Sequence, residues 1–252
     1  MRIHILTLFP EILQGPLQAS LLGRAIGQGL VDVRLCNIRD YALDKHKTVD
    51  DKTYGGGPGM LMKPEPLFAA VEAVQAVVRA ERGEEAARAM PVVLLSPQGR
   101  LFTQQLARGL AQHPELVLLC GRYEGVDERV REHLATMELS IGDYVLSGGE
   151  PAAFVVVDAV ARLLPGVLGN EASLQEDSLA TGLLQYPQYT RPPQFRDWKV
   201  PEILLSGNHP QVARWRRQQS LLRTSQQRPD LLEQAVLTAK DLQFLEELRG
   251  AS

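Results

Sequence analysis

Short apolar runs alternate along the chain with stretches whose apolar positions recur at helical spacing. Ile3 to Leu8, Val31 to Ile38, Val92 to Leu95 and Leu116 to Cys120 have strand length and are mainly apolar, whereas Pro66 to Arg79 and Thr103 to Gln112 carry a helical pattern. Strands that alternate with helices predict an α/β domain with a largely parallel sheet. A further helix is expected from about Glu150 to Leu164, opened by Gly148 and Gly149 and closed by Pro165 and Gly166. The rhythm then stops. Gly169 to Gly182 is small and polar without periodicity and reads as a linker or a loop that orders on binding. Beyond Leu183 only helical patterns follow, around His209 to Gln226 and Leu231 to Leu248, which predicts a small helical second domain. The expected division is residues 1–168, a linker at 169–183, and 184–252.

Composition sets the class without adding a function. The 252 residues are 44% apolar and 23% charged, as in ordinary globular proteins with a sizeable core. The first residues lack the apolar length of a signal peptide, and the longest apolar stretch, Ala152 to Leu168, is broken by Asp158 and Arg162. A cytoplasmic protein with no membrane contact is expected. Cys36 and Cys120, far apart in apolar runs, read as buried thiols of a reducing compartment. A net charge of -3 argues against indiscriminate coating of nucleic acid, but the charge is unevenly spread. Arg191 to Arg228 holds eight Lys or Arg against Asp197 and Glu202 alone. That excess is either a solvated helical face or a local contact for a polyanion.

Glycine concentrates in YGGGPGM (54–60), CGRYEG (120–125) and SIGDYVLSGGE (140–150). Glycine admits positive φ and lets a ligand approach the backbone, and glycine turns at strand ends suit a nucleotide-like ligand in the crevice beyond a parallel sheet. The usual phosphate motifs are missing: the chain has no GxxxxGK[ST], and its first strand runs into LFPEILQG rather than GxGxxG. No GxSxG hydrolase elbow occurs, and the five histidines are scattered, which favours core or surface roles over metal ligation.

Nine strings in order, YGGGPGM, LLSPQGR, LCGRYEGVDERV, SIGDYVLSGGE, RLLPGVLGNEAS, EDS, YPQYTRP, VPEILLSGNH and WRRQQSLLRT, resemble the bacterial tRNA (guanine-N1)-methyltransferase family, TrmD. The likeness spans nearly the whole chain. It implies a SPOUT-type α/β domain with a deep trefoil knot, followed by a small all-helical C-terminal domain. The implied reaction is S-adenosylmethionine-dependent methylation of N1 of the guanosine immediately 3′ of the anticodon, position 37 of tRNA. The cofactor would occupy the knotted loops, matched here by Pro97, Gly99, Gly121, Glu124, Gly125, Ile141, Gly142, Asp143, Tyr144, Val145, Leu146, Gly148 and Gly149. Backbone groups of tight loops would read the adenine edge, with Ile141, Tyr144 and Leu146 supplying apolar packing. Pro151 follows GGE one place earlier than in the family, so no cofactor contact is carried over from it.

The resemblance also implies catalytic roles. The proton on guanine N1 must leave as the methyl arrives, so a base at N1 and a cation near O6 lower the barrier. Asp177 matches the family's base and Arg162 its cation. A carboxylate is a weak base in water, so contact with substrate must raise its basicity or proton loss must accompany methylation. Read as residues alone, Asp177 is a cap or a solvated linker carboxylate, and Arg162 is a partner for Asp158 four residues earlier. The family acts as a homodimer, with one subunit's linker completing the other's pocket, and uses Mg²⁺, for which no dedicated ligand cluster stands out in the sequence. Asp50 and Gly59 would approach the target guanine. Arg214, Arg216 and Arg217, supported by Trp215, would hold the anticodon arm. Gln227 replaces an arginine usual in the family. Two rival readings are a related knotted methyltransferase acting elsewhere on RNA and a non-catalytic RNA-binding module.

Overall fold

A computed structural model describes residues 1–169 and 177–250, which fall into two compact units, Met1–Gly169 and Asn170–Ser252. The first is built on a five-stranded sheet of β1 (Arg2–Thr7), β2 (Asp32–Asn37), β5 (Val92–Leu101), β6 (Glu115–Cys120) and β7 (Met137–Ser140). The order is β2-β1-β6-β5-β7 and every pairing is parallel. The helices are α1 (Glu11–Gln18), α2 (Ser20–Gly27), α3 (Pro64–Arg82), α4 (Glu84–Ala89), α5 (Gln104–Leu110), α6 (Glu128–His133) and α7 (Glu150–Ala161). A short antiparallel pair, β3 (Asp50–Asp51) and β4 (Leu61–Met62), stands apart from the main sheet.

Both faces of that sheet are covered, which is why its central strands read as continuous apolar runs. In β6, Leu116 and Leu118 join Ile3, Ile5 and the inner face of α7 (Ala153, Val156, Val157, Val160). The alternate residues Val117 and Leu119 join Leu6 and the inner face of α3 (Leu67, Val71, Val74, Val78). Each such side chain contributes about 1.5–3 kcal/mol by leaving water. His4 lies in this interior, its Nε2 3.1 Å from Glu115, and burial lowers its basicity. Among the described residues no helix is long and apolar enough to cross a membrane.

Several elements differ from the sequence expectation. The region of α1 and α2 carries Gly15, Pro16 and Gly23, which interrupt the helical signal, and β7 is only four residues, MELS, too short to show a period. In the second unit, α8 (Glu202–Leu205), α9 (His209–Gln227), α10 (Pro229–Leu232) and α11 (Ala239–Gly250) are joined by a hairpin, β8 (Gln194–Phe195) and β9 (Trp198–Lys199). The unit is therefore not all-helical: the hairpin's rings are exposed and leave no burial pattern to read. The single helix expected over Leu231 to Leu248 is broken. Thr238 and Asp241 cap each other's backbone, with the Asp241 carboxylate accepting from Thr238 N at 2.8 Å and the Thr238 hydroxyl accepting from Asp241 N at 3.3 Å, and this starts a new helix. Leu183, Leu221 and Leu245 form the unit's small core, so residues just after Asp177 already belong to it.

Candidate functional site

In an open parallel sheet the strands' carboxyl ends face a common crevice, and here adjacent strands β6, β5 and β7 each release a loop there. Strand β5 pairs with Leu139 twice, through Leu95 and again through Arg100, so Ser96–Gly99 is thrown out of the ladder as a bulge. Gly99 makes the return: a Cβ would stand 2.5 Å from the Glu138 carbonyl carbon and the Leu139 nitrogen. The bulge, the 121–126 loop after β6 and the 141–149 loop after β7 enclose a cavity of about 260 Å³. That lies just below the roughly 300 Å³ at which small-molecule sites usually begin.

Of the thirteen expected cofactor residues, eleven line this cavity. Gly99 and Asp143 do not line it. Gly99 serves the bulge behind it, while Asp143 sits in the exposed turn between Gly142 and Tyr144. Ile141 and Leu146 give the lining apolar surface, and Tyr144 is turned back by a 3.1 Å bond from its hydroxyl to the Ile141 carbonyl. Glu124, Glu128 and Glu138 line the same space together with Arg122 and Arg131, and Glu128 is ion-paired with Arg131, so the lining carries charges of both signs. Cys120, wholly buried beneath, has its thiol held well above the usual range by burial and then by the nearby Glu150 charge, so it stays protonated and is no nucleophile.

Arg122, which no local pattern in the sequence marks, braces the site. Its Nη2 is 2.9 Å from Glu150 Oε2 and its Nε 3.2 Å from Glu150 Oε1, while Nη1 donates to the Ser147 carbonyl at 3.2 Å. Glu150 is fully buried at the start of α7 and also accepts from the Thr7 hydroxyl at 2.5 Å. Pro151, the departure from the family pattern, occupies the first turn of α7, where no amide donor is needed.

The remaining expected residues fall into groups. Asp50 lies on β3, paired with Met62 on β4, and this ribbon is tied to the cavity loop because Met62 N donates to the Gly125 carbonyl and Glu124 N to the Met60 carbonyl, both at 3.0 Å. Gly59 packs against Glu124, and a side chain there would overlap that carboxylate. Asp50, Gly59 and the cavity thus share one end of the sheet. Arg162 ends α7 in the first unit, its N–H donating to the Asp158 carbonyl at 3.2 Å. Asp177 belongs to the second unit, where its carbonyl accepts from Ala180 N at 3.0 Å. Among the described residues there is no group of His, Cys, Asp or Glu able to hold a metal ion.

The three arginines of α9 have different surroundings. Arg214 is exposed, and Arg216 lies over the Tyr186 ring at 4.7 Å. Arg217 is bound to Asp241 of α11 through Nε at 3.2 Å and Nη2 at 2.9 Å and also donates to the Val236 carbonyl. The guanidinium holds the Asp241 carboxyl down at about 2, from 3.8. With a lowered folded-state pKa, this pair stabilises the fold above about pH 4 and loses that effect as pH falls toward about 2. Arg217→Ala is therefore expected to lower the second unit's melting point at pH 7 but leave it nearly unchanged at pH 2. An equal loss at both pH values in thermal scans would show that the ion pair is not the cause.

The fold and site define a class: an α/β protein with a small-molecule cavity built from glycine loops at the carboxyl edge of a parallel sheet. The model of the tRNA (guanine-1)-methyltransferase family TrmD matches residues 1–234. Similar proteins named tRNA (guanine-N(1)-)-methyltransferase include that of Dehalococcoides mccartyi strain 195, 56% identical over 98% of this chain and 97% of its own. Those of Moorella thermoacetica and Geobacillus kaustophilus are each 57% identical over 98% of this chain and 96% and 98% of theirs. The chain belongs to the TrmD family and is a methyltransferase.

Proposed function

We propose that this protein transfers a methyl group from S-adenosylmethionine to N1 of guanosine 37 of tRNA, next to the anticodon. The observation that carries the reading is the convergence of SPQG, CGRYEG and IGDYVLSGG on one cavity in a chain of this family. Bound there, the cofactor supplies a methyl carbon made electrophilic by its sulfonium. Ile141 and Leu146 pack its apolar parts. Asp177 accepts the N1 proton as the N–C bond forms, Arg162 offsets the charge that develops on O6, and Asp50 and Gly59 border the guanine. Family membership supports a SPOUT-type knot around the cavity, a cytoplasmic setting, and a homodimer in which the segment carrying Asp177 reaches the partner's site. The described residues offer Mg²⁺ no cluster of His, Cys, Asp or Glu ligands.

The test is methyl transfer to an unmodified tRNA transcript with the product nucleoside and position identified. The expected product is 1-methylguanosine at position 37, absent from a transcript with adenosine there; a methylated ribose or another base would overturn the reading. Arg214, Arg216 and Arg217 of α9 hold the anticodon arm, and exposed Arg214, free to reach a phosphate, is the simplest of them to test. Arg214→Ala is expected to weaken tRNA binding and reduce the salt slope by about 0.7–0.9, one phosphate contact. An unchanged slope in a salt titration would return Arg214 to a solvated surface role.

A further inference from the structure

The hairpin of β8 and β9 exposes two large rings. Phe195 and Trp198 face each other across the ladder, 58% and 65% exposed, with ring centroids 6.1 Å apart and planes tilted by 41°. Arg196 sits over both, its guanidinium 5.3 Å from the Phe195 centroid and 5.8 Å from that of Trp198. To reach this place Arg196 adopts φ +55°, a region uncommon for a non-glycine residue, and its carbonyl accepts a 2.8 Å bond from the Gln194 amide. The hairpin is closed at its base by Val200 N donating to the Pro193 carbonyl at 2.9 Å. The second unit's core, around Leu183, Leu221 and Leu245, uses none of these residues.

Exposed rings with a cation over them, on a rigid ribbon, are what proteins present to unpaired nucleobases: any base has a face to stack, and the cation meets the phosphate. The charge fits, since Arg191, Arg196 and Lys199 against Asp197 leave an excess of two positive charges over 191–199. A second protein chain fits less well, because two rings on a ribbon fall far short of the roughly 800 Å² that each side of a stable protein interface buries. We infer that Phe195, Arg196 and Trp198 form a stacking platform for unpaired bases of the RNA substrate, separate from the cofactor cavity. The inference rests on the tRNA reading above.

The platform is tested in the full-length protein with Phe195→Ala, Trp198→Ala and Trp198→Phe, measuring affinity for a labelled tRNA transcript, for a fully paired RNA duplex, and for S-adenosylmethionine. Each alanine variant should bind tRNA about 5- to 150-fold more weakly, the loss of one stacked base, and Trp198→Phe should stay within about threefold of wild type. Affinities for duplex and cofactor should not change. The exposed positions keep folding intact, which unchanged melting temperatures would confirm. Alanine variants that bind tRNA within about twofold of wild type overturn the inference. An equal loss on duplex overturns it too, since the hairpin would then touch only backbone. Loss of self-association in sedimentation would make the rings a contact between copies. A wild-type protein that binds no tRNA overturns the tRNA reading itself, a result distinct from any of these.

Discussion

Asp177→Asn is expected to bind S-adenosylmethionine and tRNA nearly as wild type does and to lose about 100- to 10,000-fold in the methylation step. The amide keeps the size and one carbonyl oxygen of the carboxylate but cannot take the N1 proton. A residue that only shaped the second unit would act otherwise: its loss would show in folding or binding, whereas loss of a base appears in the rate constant with both ligands saturating. Single-turnover methylation isolates that constant. A transcript with inosine at position 37 is the control, because it keeps the N1 proton and O6. A shared site adds a second readout. Subunits carrying Asp177→Ala and Arg162→Ala should each be inactive alone, and their verified heterodimers should regain one intact site. An Asn variant within about threefold of wild type would remove Asp177 from the role of base.

What the chain reveals as sequence follows from how local each signal is. Strands β1 and β6 and the first half of β5 are legible because burial on both faces demands apolar runs, edge strand β2 by its apolar Val33, Leu35 and Cys36 although it is only half-buried, and α3 because its apolar positions fit one helical face. Strand β7 and helices α1 and α2 are hidden by brevity and by Gly15, Pro16 and Gly23. The capping pair Thr238 and Asp241 is a local signal that was open to reading and that divides the last helical stretch. The bulge at Ser96–Gly99 is not local, since it exists only through the doubled pairing with Leu139. Of the site, the glycine loops mark themselves, but their meeting in one cavity depends on the strand order β6-β5-β7, which no periodicity contains. Arg122 shows the same limit. Its partner Glu150 is 28 residues away, and nothing in either segment alone says that one charge is buried against the other.

That pair carries the second large effect. Glu150 keeps both carboxylate oxygens out of water at the N-terminus of α7, where among the described residues it is ion-paired with Arg122 and accepts from the Thr7 hydroxyl. The same guanidinium reaches the Ser147 carbonyl and lies 4.5 Å over the Phe9 ring, so it joins the 121–126 loop to the 147–149 turn on two sides of the cavity. Gly149 N donating to the Gly121 carbonyl at 2.9 Å completes the brace. Replacing Arg122 by Met keeps the apolar stem but leaves a buried carboxylate without its counter-charge, an imbalance that costs about 3–5 kcal/mol. At roughly 2–4 °C per kcal/mol for a chain of this size, the unfolding transition should drop by about 6–20 °C. Cofactor affinity should fall as well, because the two loops lose their tie. Glu150→Gln should cost less, since the amide still accepts from Thr7 and Arg122, 15% exposed, can turn to water. The double variant Arg122→Met/Glu150→Leu removes both charges, so it should recover part of the thermal stability while cofactor affinity stays low. Calorimetric titration and thermal scans on the four proteins separate the two effects: an Arg122→Met protein that melts within about 2 °C of wild type, or a double variant no more stable than that single one, would show that the buried charge is not what Arg122 balances.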